Sequence, residues 1–129
     1  MTVRIVQLGS ARAKGEGLRI GTVRHPPRGV PKSQHASQNW YDVWLPELAP
    51  SAGAIQLGRA ASTPRDWTRF AKRYRAEMAA PAAVRLLELL AALSHETSFS
   101  VGCYCADEAR CHRSILRSLL EQHGARLEE

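Results

Sequence analysis

Two short stretches near the start of the chain alternate branched apolar and polar residues. They read TVRIVQL at residues 2–8 and LRIGTVR at residues 18–24. Successive side chains of a strand point to opposite faces, so this alternation predicts two strands. The glycine-bearing stretch SARAKGEG lies between them and predicts a flexible loop.

A long irregular segment follows the second predicted strand. Residues 25–39 contain three prolines and one glycine, which exclude a regular helix and a central strand. Long loops inside compact domains are uncommon unless they carry a function. This loop begins beside Arg24, His25 and Arg28, so it predicts either a ligand-binding segment or a solvated connector.

The hydrophobic pattern is irregular between residues 40 and 61. The sequence AIQLG at residues 54–58 predicts a short strand. A further set of apolar residues is expected to close the core. This set is Trp40, Tyr41, Val43, Trp44 and Leu45.

Helical periodicity begins at Thr63. This residue is predicted to be the N-cap, with Pro64 at the first helical position and Asp66 three residues after the cap. One apolar stripe follows at helical spacing and predicts core packing. It consists of Trp67, Phe70, Ala71, Tyr74 and Met78.

The rest of the chain predicts a helix, a strand and a last helix. Pro81 opens AAVRLLELLAALSH, which is apolar on most of its circumference. TSFSVGCYC at residues 97–105 predicts a strand, and CHRSILRSLLEQHG predicts a helix that ends at Gly124 in a left-handed cap.

This order of elements predicts one α/β domain over residues 1–129. We expect a small, mainly parallel sheet with helices packed on it in Rossmann-like layers. Ligands of such sheets bind beyond the carboxyl ends of the strands. The segments 24–28 and 103–113 both follow predicted strands, so we expect them to form a site together.

Composition agrees with one small domain, because 129 residues at 44% hydrophobic content are enough for one core. The sequence contains no apolar run of roughly 18 to 20 residues and does not open like a signal peptide, so no membrane contact and a cytoplasmic location are expected.

The three cysteines are then expected to be free thiols, ligands or reactive groups rather than disulfides. The net charge of +6 favours phosphate-bearing partners, but the basic residues are scattered. Nucleic-acid binding is therefore the weaker alternative to a small anionic ligand.

The sequence CYCADEARCHRSIL at residues 103–116 carries the candidate chemistry. The apolar positions of its helix place His112 at the centre of the buried arc, so His112 is predicted to point inward. Basic groups in a first helical turn oppose the helix dipole by about 0.3 to 1 kcal/mol, and Arg113 is such a group. The compensating charge is either Asp107 and Glu108 or a bound phosphate or carboxylate held by the helix start.

Three alternatives remain open for the cysteines. A Cys3His zinc set is chemically reasonable, but Cys103 and Cys105 on an extended strand would lie roughly 6 to 7 Å apart, so no metal is predicted. The electropositive helix start favours a reactive thiol, while plain core packing is the third alternative. Neither a Walker loop nor a G-x-G-x-x-G fingerprint is present, and no cofactor is predicted.

The stretch VGCYCADEARCHRSIL resembles the end of the domain of unknown function 488 family, the YeaO-like proteins. That family's pattern is Cys-x-Glu, a short acidic loop and then Cys-His-Arg. The stretches TVRHPPRGVPK and WTRFAKRYRAEM are also similar to the family, so the resemblance covers most of the chain from Leu18 onward. It implies an α/β fold and family positions at Cys103, Cys111, His112, Arg113, Arg24 and Arg28. Cys105 departs from the pattern, because many members have glutamate there.

These observations predict an anion-binding Cys-His-Arg site at a strand-to-helix join. The first hypothesis is an enzyme acting on a phosphorylated or nucleotide-like substrate, with His112 as proton carrier and Cys105 or Cys111 as nucleophile. The second is a binding module that uses the same residues without chemistry. The predicted anion-binding residues are Arg24, Arg28 and Arg113, which are expected to converge on one concave surface with His112.

Overall fold

The computed structural model of the protein describes residues 1–128 as a sheet with helices packed on it. All strand pairs are parallel, and the strand order is β1-β4-β2-β3. The strands are β1 (Val3–Gln7), β2 (Leu18–Gly21), β3 (Val43–Trp44) and β4 (Phe99–Cys103). The predicted α/β class with a small parallel sheet is confirmed.

The helices follow β3 and β4. They are α1 (Ala52–Ala60), α2 (Pro64–Glu77), α3 (Pro81–Leu93) and α4 (His112–Gln122). Short 3-10 helices cover Lys32–Gln34, Pro46–Leu48 and Glu108–Arg110. Within residues 1–128, none of the helices has the length and apolar character needed to cross a membrane.

One face of the sheet carries the main hydrophobic core. Residues in register share a face, and Val3 of β1, Ile20 of β2 and Val101 of β4 lie on the same side. All four helices contribute to the core against this side. Its members include Val3, Ile20, Phe99 and Val101 from the strands and Ala54, Phe70, Leu87 and Leu116 from the helices.

The opposite face carries a buried ion pair instead of helices. Arg19 of β2 is fully buried and bonds Glu16 at 2.8 Å, and Ser100 of β4 donates to Glu16 at 2.7 Å. Arg19 also donates to the carbonyls of Ser10 and Asn39, both at 2.8 Å. This arginine therefore ties two loops to the sheet.

The predicted start of α2 is confirmed. The Thr63 side chain accepts from the backbone N–H of Asp66 at 3.1 Å, and Pro64 occupies the first turn. The predicted stripe faces the core, because Phe70, Tyr74 and Met78 are buried. Gly124 follows α4 with φ 93°, the left-handed conformation predicted for it.

Two predictions between residues 40 and 61 are wrong. The AIQLG segment lies in α1 and not in a strand, because Ser51 caps a helix there by accepting from the N–H of Ala54. Val43 and Trp44 are 43% and 42% exposed, because β3 is the edge strand of the sheet. Tyr41 is buried as predicted.

Candidate functional site

A cavity of about 1000 Å³ lies beyond the carboxyl ends of β2 and β4. This is the edge of the sheet at which ligands of parallel α/β folds bind. Its polar and reactive lining consists of Arg24, His25, Arg28, Arg59, Arg110, Cys103, Cys105, Cys111 and His112. Its aromatic lining consists of Trp40, Trp67, Phe70 and Tyr104.

Four arginines give the cavity a basic wall. Arg28 and Arg59 are exposed, and neither makes a hydrogen bond or ion pair within the described residues. Arg110 lies over the Trp67 ring at 5.9 Å. Arg24 is already engaged, because it donates to the carbonyls of residues 49 and 50 at 3.2 and 3.1 Å. Arg28, Arg59 and Arg110 therefore have N–H donors free for an anion, although Arg110 is also held against the Trp67 ring.

Aromatic rings form a second wall. Trp40 and Tyr104 meet edge to face at 5.8 Å, and Trp67 stacks on Phe70 at 4.8 Å. The Tyr104 hydroxyl donates to the His25 carbonyl at 2.9 Å, which joins the end of β4 to the proline-rich loop. Flat apolar surfaces beside arginines suit a ligand with both a ring and a phosphate.

The two cysteines of the CYC sequence lie close together. Strand β4 ends at Cys103, so Cys105 is not held on an extended strand, and the two sulfurs are 3.9 Å apart. The separation predicted for an extended strand is therefore wrong. Donation from the Cys103 thiol and contact with Cys111 lower the pKa of Cys105 to about 3, and the Arg113 charge acts in the same direction. The same contacts raise the pKa of Cys103.

His112 is buried as predicted, and its two ring nitrogens have different partners. Nε2 lies 2.9 Å from the Thr22 carbonyl, which can only accept, so we assign the proton to Nε2. Nδ1 then has a free lone pair 3.7 Å from the Cys111 sulfur. The Cys103 contact, assisted by His112, lowers the pKa of Cys111.

Arg113 is the predicted site residue that does not line the cavity. Its side chain is buried, its Nη2 donates to the Cys105 carbonyl at 2.6 Å and its Nε has no partner in the described part of the chain. The nearby acids are used elsewhere: Asp107 caps the 3-10 helix, and Glu108 accepts from Arg117 at 2.7 Å. No carboxylate within residues 1–128 forms an ion pair with Arg113.

The structure thus brings the other predicted residues to one cavity. They are Arg24, Arg28, Cys103, Cys105, Cys111 and His112. The sequence interpretation missed Arg59, because residues 54–58 were interpreted as a strand and not as the helix that carries it. Arg110 and Trp67 also line the cavity. The sequence interpretation names Trp67 as part of the core stripe of α2 and Arg110 as a basic group at the start of the last helix, but neither as a predicted site residue.

Comparison with known protein families gives a match over most of the chain. A family model described as the active DUF488-N3 subclade matches residues 3–124. No curated protein and no solved structure matches the chain. The matched range contains residues 24–28 and 103–113, which both contribute to the lining of the cavity. The match confirms the family resemblance seen in the sequence. The chain therefore belongs to the DUF488-N3a family.

Proposed function

We propose that the protein is a cysteine-dependent enzyme that acts on a phosphorylated or nucleotide-like substrate bound in the cavity. The observation that carries this proposal is the shared location of an exposed thiol and unpaired arginines. Cys105 is exposed and lines the same cavity as Arg28 and Arg59.

The arginines would hold the phosphate. A guanidinium presents its donors in a planar fork that matches two phosphate oxygens, and neither Arg28 nor Arg59 has a partner that a ligand must displace. The Trp40 and Trp67 rings would contact the apolar part of the substrate. Arg24 and Arg113 would act by holding neighbouring backbone carbonyls in place.

Cys105 would be the nucleophile. Its sulfur forms a bond to the electrophilic phosphorus or carbon of the substrate, and the leaving group departs with its electron pair. Water or another acceptor then releases the covalent intermediate. Cys111 and His112 lie behind Cys105, and in a metal-free site the Nδ1 of His112 accepts the proton of the Cys111 thiol.

Thermal unfolding tests the binding step. Inorganic phosphate and mononucleotides are added at matched ionic strength, so that screening of the +6 chain is constant. A ligand at 100 times its Kd stabilises the native state by about 2.7 kcal/mol, which raises Tm by several degrees. Arg28→Ala should lose this rise, whereas Arg85→Ala, an exposed arginine of α3 outside the cavity, should keep it. Equal rises in both variants would show that the cavity does not bind the anion.

Alkylation by iodoacetamide separates the enzyme from a non-catalytic binding module, which would use the same arginines. Intact-protein and peptide mass spectrometry measure the rate at each cysteine at neutral pH. An enzyme should show Cys105 reacting faster than a free thiol, and a bound mononucleotide should slow that reaction. Ordinary reactivity of Cys105 together with a ligand-dependent Tm would identify a binding module.

A further inference from the structure

Three buried side chains at the base of the cavity are arranged as a group of metal ligands. The sulfurs of Cys103 and Cys111 and a ring nitrogen of His112 all lie within 4.8 Å of one another. Cys103 ends β4, and Cys111 and His112 begin α4, so two rigid elements hold the group. We propose that these residues bind a zinc ion, with Cys105 as the fourth ligand on the cavity side.

The distances fit a tetrahedral site. Bond lengths of about 2.3 Å to sulfur and about 2.0 to 2.1 Å to nitrogen place two sulfurs about 3.8 Å apart, and a sulfur and a nitrogen about 3.6 Å apart. The Cys103 and Cys105 sulfurs are 3.9 Å apart. The Cys111 sulfur and the His112 Nδ1 are 3.7 Å apart. Binding therefore needs shifts of a few tenths of an ångström at these two edges.

A hydrogen bond to the backbone fixes the tautomer and the ring orientation of His112 that a zinc ligand needs. Zinc-bound histidines donate their other ring N–H to a carbonyl or carboxylate, which fixes the tautomer and the orientation of the ring. The Nε2 of His112 donates to the Thr22 carbonyl at 2.9 Å, and Thr22 is fully buried. The lone pair of Nδ1 is thereby directed to the side of the Cys111 sulfur.

The buried charge of Arg113 supplies an independent argument. Arg113 is 3% exposed, it has no carboxylate partner within residues 1–128, and it contacts the Cys105 carbonyl. A buried cation is costly unless a negative charge compensates it. Three thiolates around one Zn²⁺ carry a single net negative charge, which would compensate the guanidinium.

Zinc is the metal that this set of ligands favours. Soft thiolates together with an imidazole in tetrahedral geometry are typical of zinc, whereas magnesium and calcium require oxygen ligands. A zinc-bound Cys105 thiolate keeps an electron pair directed toward the cavity, so this site is compatible with nucleophilic attack by Cys105. With zinc bound, His112 is a ligand rather than the proton carrier expected from the sequence.

The test measures metal binding directly. Wild-type protein without a histidine tag is dialysed and analysed by inductively coupled plasma mass spectrometry, and metal-free protein is titrated with Co²⁺. We expect about one equivalent of zinc per chain and thiolate-to-cobalt charge-transfer bands in the near ultraviolet. Folded, metal-free wild type that takes up neither ion would overturn the proposal, whatever the variants show.

Variants locate the ligands. Cys111→Ser should weaken zinc binding at least tenfold, and Cys105→Ser should weaken it less while shifting the cobalt bands. His25→Ala is the matched control, because His25 lines the same cavity outside the group. Equal loss of metal in His25→Ala and Cys111→Ser would place the metal elsewhere. These readouts need no substrate, so they are independent of the phosphate-dependent Tm that tests the proposed function.

Discussion

Replacement of Glu16 by glutamine should destabilise the fold from the face of the sheet that carries no helices. Glu16 and Arg19 are 3% and 0% exposed, and they form two contacts at 2.8 and 3.1 Å. The Glu16 carboxylate also accepts a hydrogen bond from the Ser100 hydroxyl at 2.7 Å and one from the backbone N–H of Ala13 at 3.0 Å. Glutamine is isosteric, so the change removes the negative charge and leaves the buried Arg19 uncompensated.

The pKa of Glu16 sets the magnitude. Burial acts to raise this pKa, but the hydrogen bonds from Arg19, Ser100 and Ala13 outweigh it and lower the pKa from 4.5 to about 2. At 1.36 kcal/mol for each unit of pKa, this difference corresponds to about 3 kcal/mol. Removing one partner of a buried ion pair typically costs about 3 to 5 kcal/mol of stability. The estimate from the pKa of Glu16 therefore agrees with the typical cost of such a substitution.

The pH dependence has a definite sign. Because the folded-state pKa is depressed, the stabilisation is fully present above about pH 4.5 and is lost as the pH falls toward about 2. Urea unfolding of wild type and Glu16→Gln should therefore differ by about 3 kcal/mol at pH 7 and converge in acid. Glu88→Gln, an exposed position on α3, is the control and should match wild type throughout. A difference between wild type and Glu16→Gln that stays constant from pH 7 to pH 3 would refute the reasoning.

Two further substitutions test local features by urea unfolding. Thr63→Ala removes the cap of α2 and should cost about 1 kcal/mol, while Thr63→Ser should retain most of it; equal losses would contradict the capping bond. Gly17→Ala would place a Cβ 1.9 Å from the Ser98 carbonyl oxygen at φ 79°, whereas Gly15 has a similar φ of 76° and open space. Gly15→Ala should cost about 1 to 2 kcal/mol and Gly17→Ala clearly more, so equal costs would exclude the clash.

The periodic elements could be predicted from the sequence because each depends on local signals. The cap at Thr63, the stripe of α2 and the Gly124 terminus are short-range features, and all three are present. The first helix was missed because AIQLG is too short for its period to separate a helix from a strand. Ser51 caps this helix, but it lies three residues before AIQLG and is not used as a cap signal in the sequence interpretation.

The buried ion pair could not be predicted from strand alternation. Arg19 is a polar residue of LRIG, and the usual position of such a residue in a half-buried strand is the exposed face. The loops before and after β2 fold over that face and supply carbonyls from Ser10 and Asn39. The burial of Arg19 depends on how these loops fold over the sheet, and the alternation of apolar and polar residues in LRIG contains no signal for it.

The contact between the Cys103 and Cys105 sulfurs could not be predicted from strand alternation either, because it depends on the residue at which β4 ends. If β4 continued to Cys105, the rise of an extended strand would hold the two sulfurs of the CYC sequence roughly 6 to 7 Å apart, and neither the thiol donation nor a shared metal site could form. The strand instead ends at Cys103, and the chain turns so that Cys105 faces both the cavity and the Cys103 sulfur. A glutamate at this position, as the family resemblance implies for many members, would present oxygen instead of sulfur. The close sulfur contact on which the nucleophile and the zinc proposals both depend is therefore specific to chains with cysteine at position 105.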